Sequence, residues 1–190
     1  MKEAKNRMAG KVVIYPSANV KRTLGKTMRL NRMNQIELGR DLGYTQAMIS
    51  KLTTGKGQLQ LDQVQQLLDK LPAHNEELML DILHQVSGGI IPDIISEKYQ
   101  LLDAGNLDNR VIAECKQAIE AFMSATDEFG RPRISVADLR DPYEAFYQGY
   151  DVIKYLYPFL IAISNYLDCS MQELAQKREQ VLKQNSYKIM

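Results

Sequence analysis

Two short helical segments joined by a tight turn constrain the fold of this chain more than any other feature of its sequence. Asn34, with Glu37 three positions later, forms a capping-box pattern that predicts the start of a helix. This helix should run to Leu42 and stop at Gly43, a residue favoured just after a helix C-terminus. Thr45 is an N-cap residue for another helix over about 46–53. Because only the turn 43–45 separates them, the two helices should cross closely, as in a helix-turn-helix unit.

The side chains of these helices divide into an inner and an outer set. Gly39 supplies the small residue that a close crossing needs. The apolar positions that would face supporting helices are Leu38, Leu42, Ile49 and Leu52. Gln46, Ser50 and Lys51 form a polar outer face on the second helix, where Met48 is expected to pack rather than to contact a partner. The second helix is therefore predicted to be open to a ligand on one side.

Further helical patterns surround this unit. A β-prone run over residues 12–15 ends at Pro16, and Ser17 is an N-cap residue for a helix over about 18–32. Two more helices are predicted over about 61–71 and 75–86. Paired glycines and a proline in the segment 87–92 end the last of these helices and mark the best candidate for a domain boundary.

The second half of the chain is also helical in pattern. Asn106 can cap a helix over about 107–125, and residues 127–133 read as a turn-rich loop. Asp141-Pro142 predicts a helix start, with a kink or restart at Pro158. A terminal helix should begin after the capping-box pattern of Ser170 and Glu173. The predicted fold class is all-α in two parts: a basic arm over 1–16, a helix-turn-helix domain over 17–87, a linker over 88–92 and a helical domain over 93–190.

Charge is distributed unevenly along the chain. The formal net charge is only +1, but residues 1–56 carry twelve Lys/Arg and three Asp/Glu, a balance of +9. The rest carries twelve basic and twenty acidic residues, a balance of −8. Such a split predicts a front end that meets a polyanion and a back end with another task.

The helix-turn-helix segment resembles the lambda-repressor/Cro-like (XRE) family of transcriptional regulators over about residues 18–87. The resemblance is carried by Met28-Arg29, Gln35, Leu38-Gly39, Leu42-Gly43, Thr45-Gln46, Ile49-Ser50 and Gly55-Lys56. It implies a five-helix DNA-binding domain. Two glutamines eleven positions apart, each first in its helix, are a recurring feature of phage repressors of this family. The resemblance implies that Gln35 braces Gln46 and contacts a phosphate, while Gln46 reads a base. Thr53 departs from the family, since many members have glutamate there as a partner for a residue like Arg29.

Residue chemistry supports a DNA-reading face independently. Gln46 presents a donor and an acceptor that match adenine N6 and N7, and Lys51 can reach guanine O6 and N7. Ala47 is small and apolar and suits a thymine methyl group. The remaining expected contacts are made by polar side chains that would hold phosphates or border the reading face: Asn34, Thr45, Ser50, Thr54 and Lys56. The arm residues Lys2, Lys5, Arg7 and Lys11 could follow the backbone or enter a minor groove.

Two stripes in the second half leave its role open. Residues 107–125 carry a continuous apolar stripe, and an aromatic face gathers Tyr143, Phe146, Tyr147 and Tyr150. These surfaces can form the core of a small bundle or pair between subunits. A homodimer is expected, since one helix-turn-helix reads only a few base pairs of a palindromic site.

Other functional classes find little support in the sequence. Cys115 and Cys169 are too few for a disulfide framework, and His74 and His84 lack metal-ligand spacing, so no cofactor or metal is expected. No apolar run approaches the ~20 residues of a membrane span. Ala104-Gly105, a self-cleavage dipeptide in some related repressors, lies in a helical context without the required β-rich domain. A cytoplasmic, nucleoid-associated location is expected.

The sequence therefore predicts a dimeric, sequence-specific repressor of prophage or mobile-element type that acts by covering its operator. Three alternatives remain open: an antitoxin whose C-terminal half binds a protein, a ligand- or peptide-responsive activator, and an all-α nucleotide pyrophosphohydrolase. The last is suggested by a faint likeness over residues 151–168, but Glu114/Glu120 and Glu144/Asp151 do not match the carboxylate spacing that such enzymes use for magnesium.

Overall fold

A computed structural model describes residues 12–94, 104–129 and 139–186. Within these ranges the protein contains eight α-helices and one two-stranded sheet, which confirms the predicted all-α class. The chain divides into two compact units, residues 1–91 and 92–190. The predicted arm contacts of Lys2, Lys5, Arg7 and Lys11 lie outside the described residues.

The first unit is built from short helices around one core. Its elements are β1 (Ser17–Ala18), α1 (Leu24–Leu30), α2 (Gln35–Leu42), α3 (Gln46–Thr54), β2 (Leu59–Gln60), a 3-10 turn (Leu61–Gln63), α4 (Val64–Lys70) and α5 (Glu76–Val86). The core gathers Val20, Leu24, Leu59, Leu67, Leu71, Leu78 and Ile82. The four side chains predicted to face inward from α2 and α3 are all buried in it.

The predicted helix over 18–32 is wrong in its first turns. Ser17 and Ala18 pair antiparallel with Gln60 and Leu59, so this segment is a short strand and α1 begins only at Leu24. The backbone hydrogen bonds of the pair stabilise extended geometry at Ser17 and exclude a helix there. The β-prone run over residues 12–15 is not a strand. Likewise, the predicted helix over 61–71 begins as a 3-10 turn.

One buried carboxylate connects α5 to the segment before α1. Asp81 is fully buried, and its Oδ1 lies 2.6 Å from Arg22 Nη2. Thr23 Oγ1 donates to Asp81 Oδ2 at 3.0 Å, and Gln85 Nε2 donates to Oδ1 at 3.0 Å. Gln85 also exchanges two hydrogen bonds with the Asn19 backbone. This network positions the chain entering α1, on which the helix-turn-helix rests.

The second unit contains α6 (Ala104–Phe129), α7 (Arg140–Tyr166) and α8 (Met171–Ser186). α6 begins before Asn106, so the predicted cap at Asn106 is wrong, and it continues through residues 127–129, where the sequence predicts a loop. Residues 130–133 of that loop lie outside the described residues. α7 runs on through Pro158 without the predicted restart, and Ser170 Oγ accepts from the Glu173 N–H at 3.2 Å, as expected of a cap.

Candidate nucleic-acid interface

α2 begins and ends where the sequence predicts. Asn34 Oδ1 accepts from the N–H groups of Ile36 and Glu37 at 2.9 and 3.0 Å, and Glu37 Oε2 accepts from the Asn34 N–H at 3.0 Å. This is the predicted capping box. Gly43 adopts φ 70°, a left-handed conformation that glycine tolerates best, and ends the helix. The conformation of Gly43 therefore sets the direction in which the chain leaves α2 and enters α3.

α3 is held at both ends in a similar way. Thr45 Oγ1 accepts from the Met48 N–H at 3.2 Å, and Gly55 ends the helix at φ 78°. Ile49 and Leu52 are buried on the inner side, whereas Gln46, Ala47 and Lys51 are exposed. The helix therefore presents an open face, and its orientation is set by its buried face.

Gly39 permits the tight crossing of α2 and the turn. A Cβ at this position would lie 2.9 Å from the carbonyl oxygen of Tyr44 and 3.4 Å from the carbonyl carbon of Thr45. The Tyr44 N–H donates to the Gly39 carbonyl at 2.7 Å, which draws the turn onto the helix. Any side chain here must push the turn away from α2.

We expect Gly39→Ala to destabilise the first unit by roughly 1–3 kcal/mol, because an added methyl group overpacks a backbone contact that cannot move freely. The matched control is Gly25→Ala in α1, where the added Cβ meets nothing within 4 Å beyond its chain neighbours and the backbone of its own helix. That control should be stabilising by about 0.4–1 kcal/mol, since alanine reduces the entropy of the unfolded chain. Urea denaturation of both variants measures the difference, and equal stabilities would contradict the crossing geometry.

A chain of side-chain hydrogen bonds organises the outer face. Gln46 Nε2 donates to Gln35 Oε1 at 3.0 Å, and Gln35 Nε2 donates to Thr53 Oγ1 at 3.2 Å. Thr53 Oγ1 donates in turn to the Ser50 carbonyl at 3.1 Å. Each amide uses one donor in this chain, so Gln46 keeps its carbonyl oxygen and its second N–H for a ligand. Gln35 thus braces Gln46, as the resemblance implies.

Sequence reasoning missed the role of Thr53. The sequence marks it only as a departure from the family, whereas in the structure its hydroxyl holds the amide of Gln35. Met48, expected to pack, is 46% exposed on the outer side of α3. Thr53 is seven positions after Gln46, which is about two helical turns, so both side chains lie on the same face of α3. This spacing could have predicted from the sequence that Thr53 lies near the glutamines.

The remaining predicted contact residues lie around this face. Asn34, Thr45, Thr54 and Lys56 are exposed, and Ser50 is half-buried. The hydroxyl of Thr54 donates to the Ser50 carbonyl at 2.7 Å, so contacting a phosphate as a donor requires another rotamer. The side-chain oxygens of Asn34 and Thr45 cap their helices, which leaves the Asn34 amide N–H groups and the Thr45 hydroxyl proton to offer outward.

Four cations of the first unit differ in whether an acidic side chain pairs with them. Arg22 and Lys26 are paired with α5, the first with Asp81 at 2.6 Å and the second with Glu77 at 2.7 Å. Lys51 and Lys56 are exposed and form no ion pair within the described part of the chain. Burial, together with the nearby charge of Asp62, raises the pKa of Tyr44 above its usual value. The outer face of α3 is therefore bordered by available positive charge.

Comparison with known proteins identifies no relative: no protein-family model, no curated protein and no solved structure matches the chain. Across residues 12–94, 104–129 and 139–186, no three His, Cys, Asp or Glu side chains come together as metal ligands. In those same ranges, none of the helices has the length and apolar character needed to cross a membrane.

Proposed function

We propose that the first unit binds double-stranded DNA sequence-specifically and that the protein is a transcription regulator of the lambda-repressor/Cro-like (XRE) type. In this proposal, α1 to α5 form the five-helix domain of that family. The observation that carries the proposal is the chain from Gln46 through Gln35 to Thr53, which holds an exposed amide in one orientation at the start of α3. A braced side chain loses less conformational freedom when it contacts a base, which favours a recognition role for Gln46.

The open face of α3 matches the chemistry of the major groove. The remaining N–H and carbonyl oxygen of Gln46 suit adenine N7 and N6 on one base pair. Ala47 and the exposed part of Met48 offer apolar contact to a thymine methyl group, and Lys51 can reach guanine one helical turn further on. Gln35, Asn34, Thr45 and Lys56 would contact phosphates, helped by the N–H groups at the start of each helix.

A homodimer is part of the proposal. One α3 reads only a few base pairs, so two copies related by two-fold symmetry would read a palindromic operator. A dimer covering an operator blocks polymerase sterically, which is how a prophage or mobile-element repressor acts. The proposed place of action is the nucleoid in the cytoplasm.

Selection of bound duplexes from a random pool tests the proposal directly. We expect enrichment of a two-fold-symmetric consensus by the full chain, with half-sites about one helical turn apart or a multiple of it. A pool that shows no enrichment at low salt would refute sequence-specific binding.

Deletion of residues 1–11 provides a separate prediction about the arm. Because Lys2, Lys5, Arg7 and Lys11 are removed together, the variant should bind every DNA sequence more weakly, with a flatter dependence of log K on log salt. Each phosphate that the arm no longer neutralises should reduce that slope by about 0.9. Filter-binding titrations at several salt concentrations measure the slope, and an unchanged slope would show that the arm does not contact DNA.

A further inference from the structure

α6 and α7 form an antiparallel hairpin whose contact follows a heptad pattern. Buried positions of α6 alternate in steps of four and three residues: Leu107, Val111, Glu114, Ala118, Ala121 and Ala125. Phe122 approaches Gly149, while Arg110 contacts Tyr155, so residue numbers rise along α6 as they fall along α7. On α7 the matching positions are Ala145, Gly149, Val152, Leu156, Phe159 and Ile163. These two sets form the contact seam of the hairpin.

A second seam runs one residue later on each helix. On α6 it consists of Ile112, Cys115, Ile119, Phe122, Thr126 and Phe129, and on α7 of Tyr143, Phe146, Tyr150, Ile153, Tyr157 and Leu160. None of these twelve side chains is charged. We call these two sets together the open seam; on α7 it ends at Leu160, because Ile161 and Ser164, which continue the same face, are buried.

Both halves of the open seam lie on the same side of the hairpin. One residue rotates a helix face by about 100°, and because the helices are antiparallel, the two rotations turn toward one side. Phe122 lies at the edge between the two seams of α6, since its Cζ is 3.3 Å from where a Cβ on Gly149 of the contact seam would be. Arg110 and Tyr155, one residue before the contact seam, meet each other on the opposite side. The hairpin therefore has one apolar face and one polar face.

The apolar face is large enough for a stable interface. Eight of its side chains are each 38–67% exposed: Ile112, Ile119, Phe122, Phe129, Tyr143, Phe146, Ile153 and Leu160. The four aromatic side chains bury about 150–250 Å² each when covered completely, and the four aliphatic ones bury less. The exposed parts of all eight together approach the scale of about 800 Å² per partner that specific dimers bury. Monomers rarely leave a face of this size open to water.

We propose that the open seam is the homodimer interface, where two hairpins stack into an intermolecular four-helix bundle. The inference deepens the proposed function and rests on it in part, because a palindromic operator requires a two-fold pair of chains. In a four-helix bundle the helices are nearly parallel or antiparallel, and each contacts two neighbours that lie about 90° apart around its axis. α6 and α7 each carry two seams about 100° apart around the helix axis, and the hairpin contact uses one of them.

Light scattering of the full chain tests the interface. At micromolar concentration the wild-type protein should have twice the 21.7 kDa chain mass. Ile119→Lys and, separately, Phe146→Glu should each be monomeric with unchanged helical circular dichroism, because both side chains are exposed in the single chain. Gln117→Lys adds the same charge to α6 on the other side of the helix and should remain dimeric. A monomeric wild type, or a dimeric Ile119→Lys and Phe146→Glu, would overturn the proposal.

DNA selection separates this inference from the proposed function. If the wild type is a dimer that Ile119→Lys dissociates, but no duplex is enriched, the interface stands and the proposed DNA binding fails. If a palindrome is enriched and Ile119→Lys binds it unchanged as a dimer, DNA binding stands and the open seam is not the interface.

Discussion

Gln46→Ala should lose recognition at one base pair in each half-site while keeping the rest of the consensus. The missing bidentate hydrogen bonds correspond to about 1–3 kcal/mol, or roughly 5- to 150-fold in affinity for each half-site. Non-specific binding should change little, because that term comes from phosphate contacts. Selection of bound duplexes with the wild type and the variant side by side measures the change position by position.

The matched control for Gln46→Ala is Gln66→Ala, which removes the same amide from an exposed position on α4. The control should select the wild-type consensus. Thr53→Val should fall between the two, because it keeps the Gln46 amide but removes the hydroxyl that holds Gln35. A Gln46→Ala variant with an unaltered consensus would show that α3 does not read bases through this residue.

Asp81→Ala should lower the free energy of unfolding of the first unit by roughly 1–3 kcal/mol for each buried polar group that loses its partner, while Arg22, whose side chain is 34% exposed, stays solvated. The substitution leaves the buried hydroxyl of Thr23 and the amide of Gln85 without this acceptor, and it removes the carboxylate that pairs with Arg22. Because Asn19 is held by Gln85, the segment before α1 should loosen first. Hydrogen exchange of the Leu78 and Ile82 amides reports the opening free energy of this unit by itself.

Glu77→Ala is the control for Asp81→Ala, since it removes another acidic partner from the same helix. The Lys26–Glu77 pair is partly exposed, with side chains 42% and 28% accessible, so its loss should cost less than about 1 kcal/mol. Equal losses in the two variants would mean that the burial of Asp81 adds nothing to stability.

The helix-turn-helix could be predicted because its signals are local. The capping box of α2, the left-handed Gly43 and the Thr45 cap each involve residues within four positions of one another. The pairing of Ser17 with Gln60 and the contact of Gln35 with Thr53 join residues that are far apart in the sequence, so no local pattern predicts them. Local patterns therefore place the start of α1 too early and assign no role to Thr53.

In the second unit the sequence shows that the apolar stripes exist but not how they are used. The stripe over 107–125 contains two adjacent seams, and both have the residue types of a helix core. Only the packing of α6 on α7 distinguishes them, because Ala118 and Ala121 are covered and Ile119 and Phe122 are not. We therefore propose that the stripe is divided between the hairpin contact and a subunit interface.

By itself, the sequence determined the helical class, the caps and turn of the helix-turn-helix, and the glutamines at the start of α2 and α3, because hydrogen bonding and helical periodicity act over a few residues. The tertiary structure decided the strand at Ser17, the anchor at Thr53, the burial of Asp81 and the face of the hairpin left open. These depend on which distant segments meet, and that choice is made by the free energy of packing the whole unit.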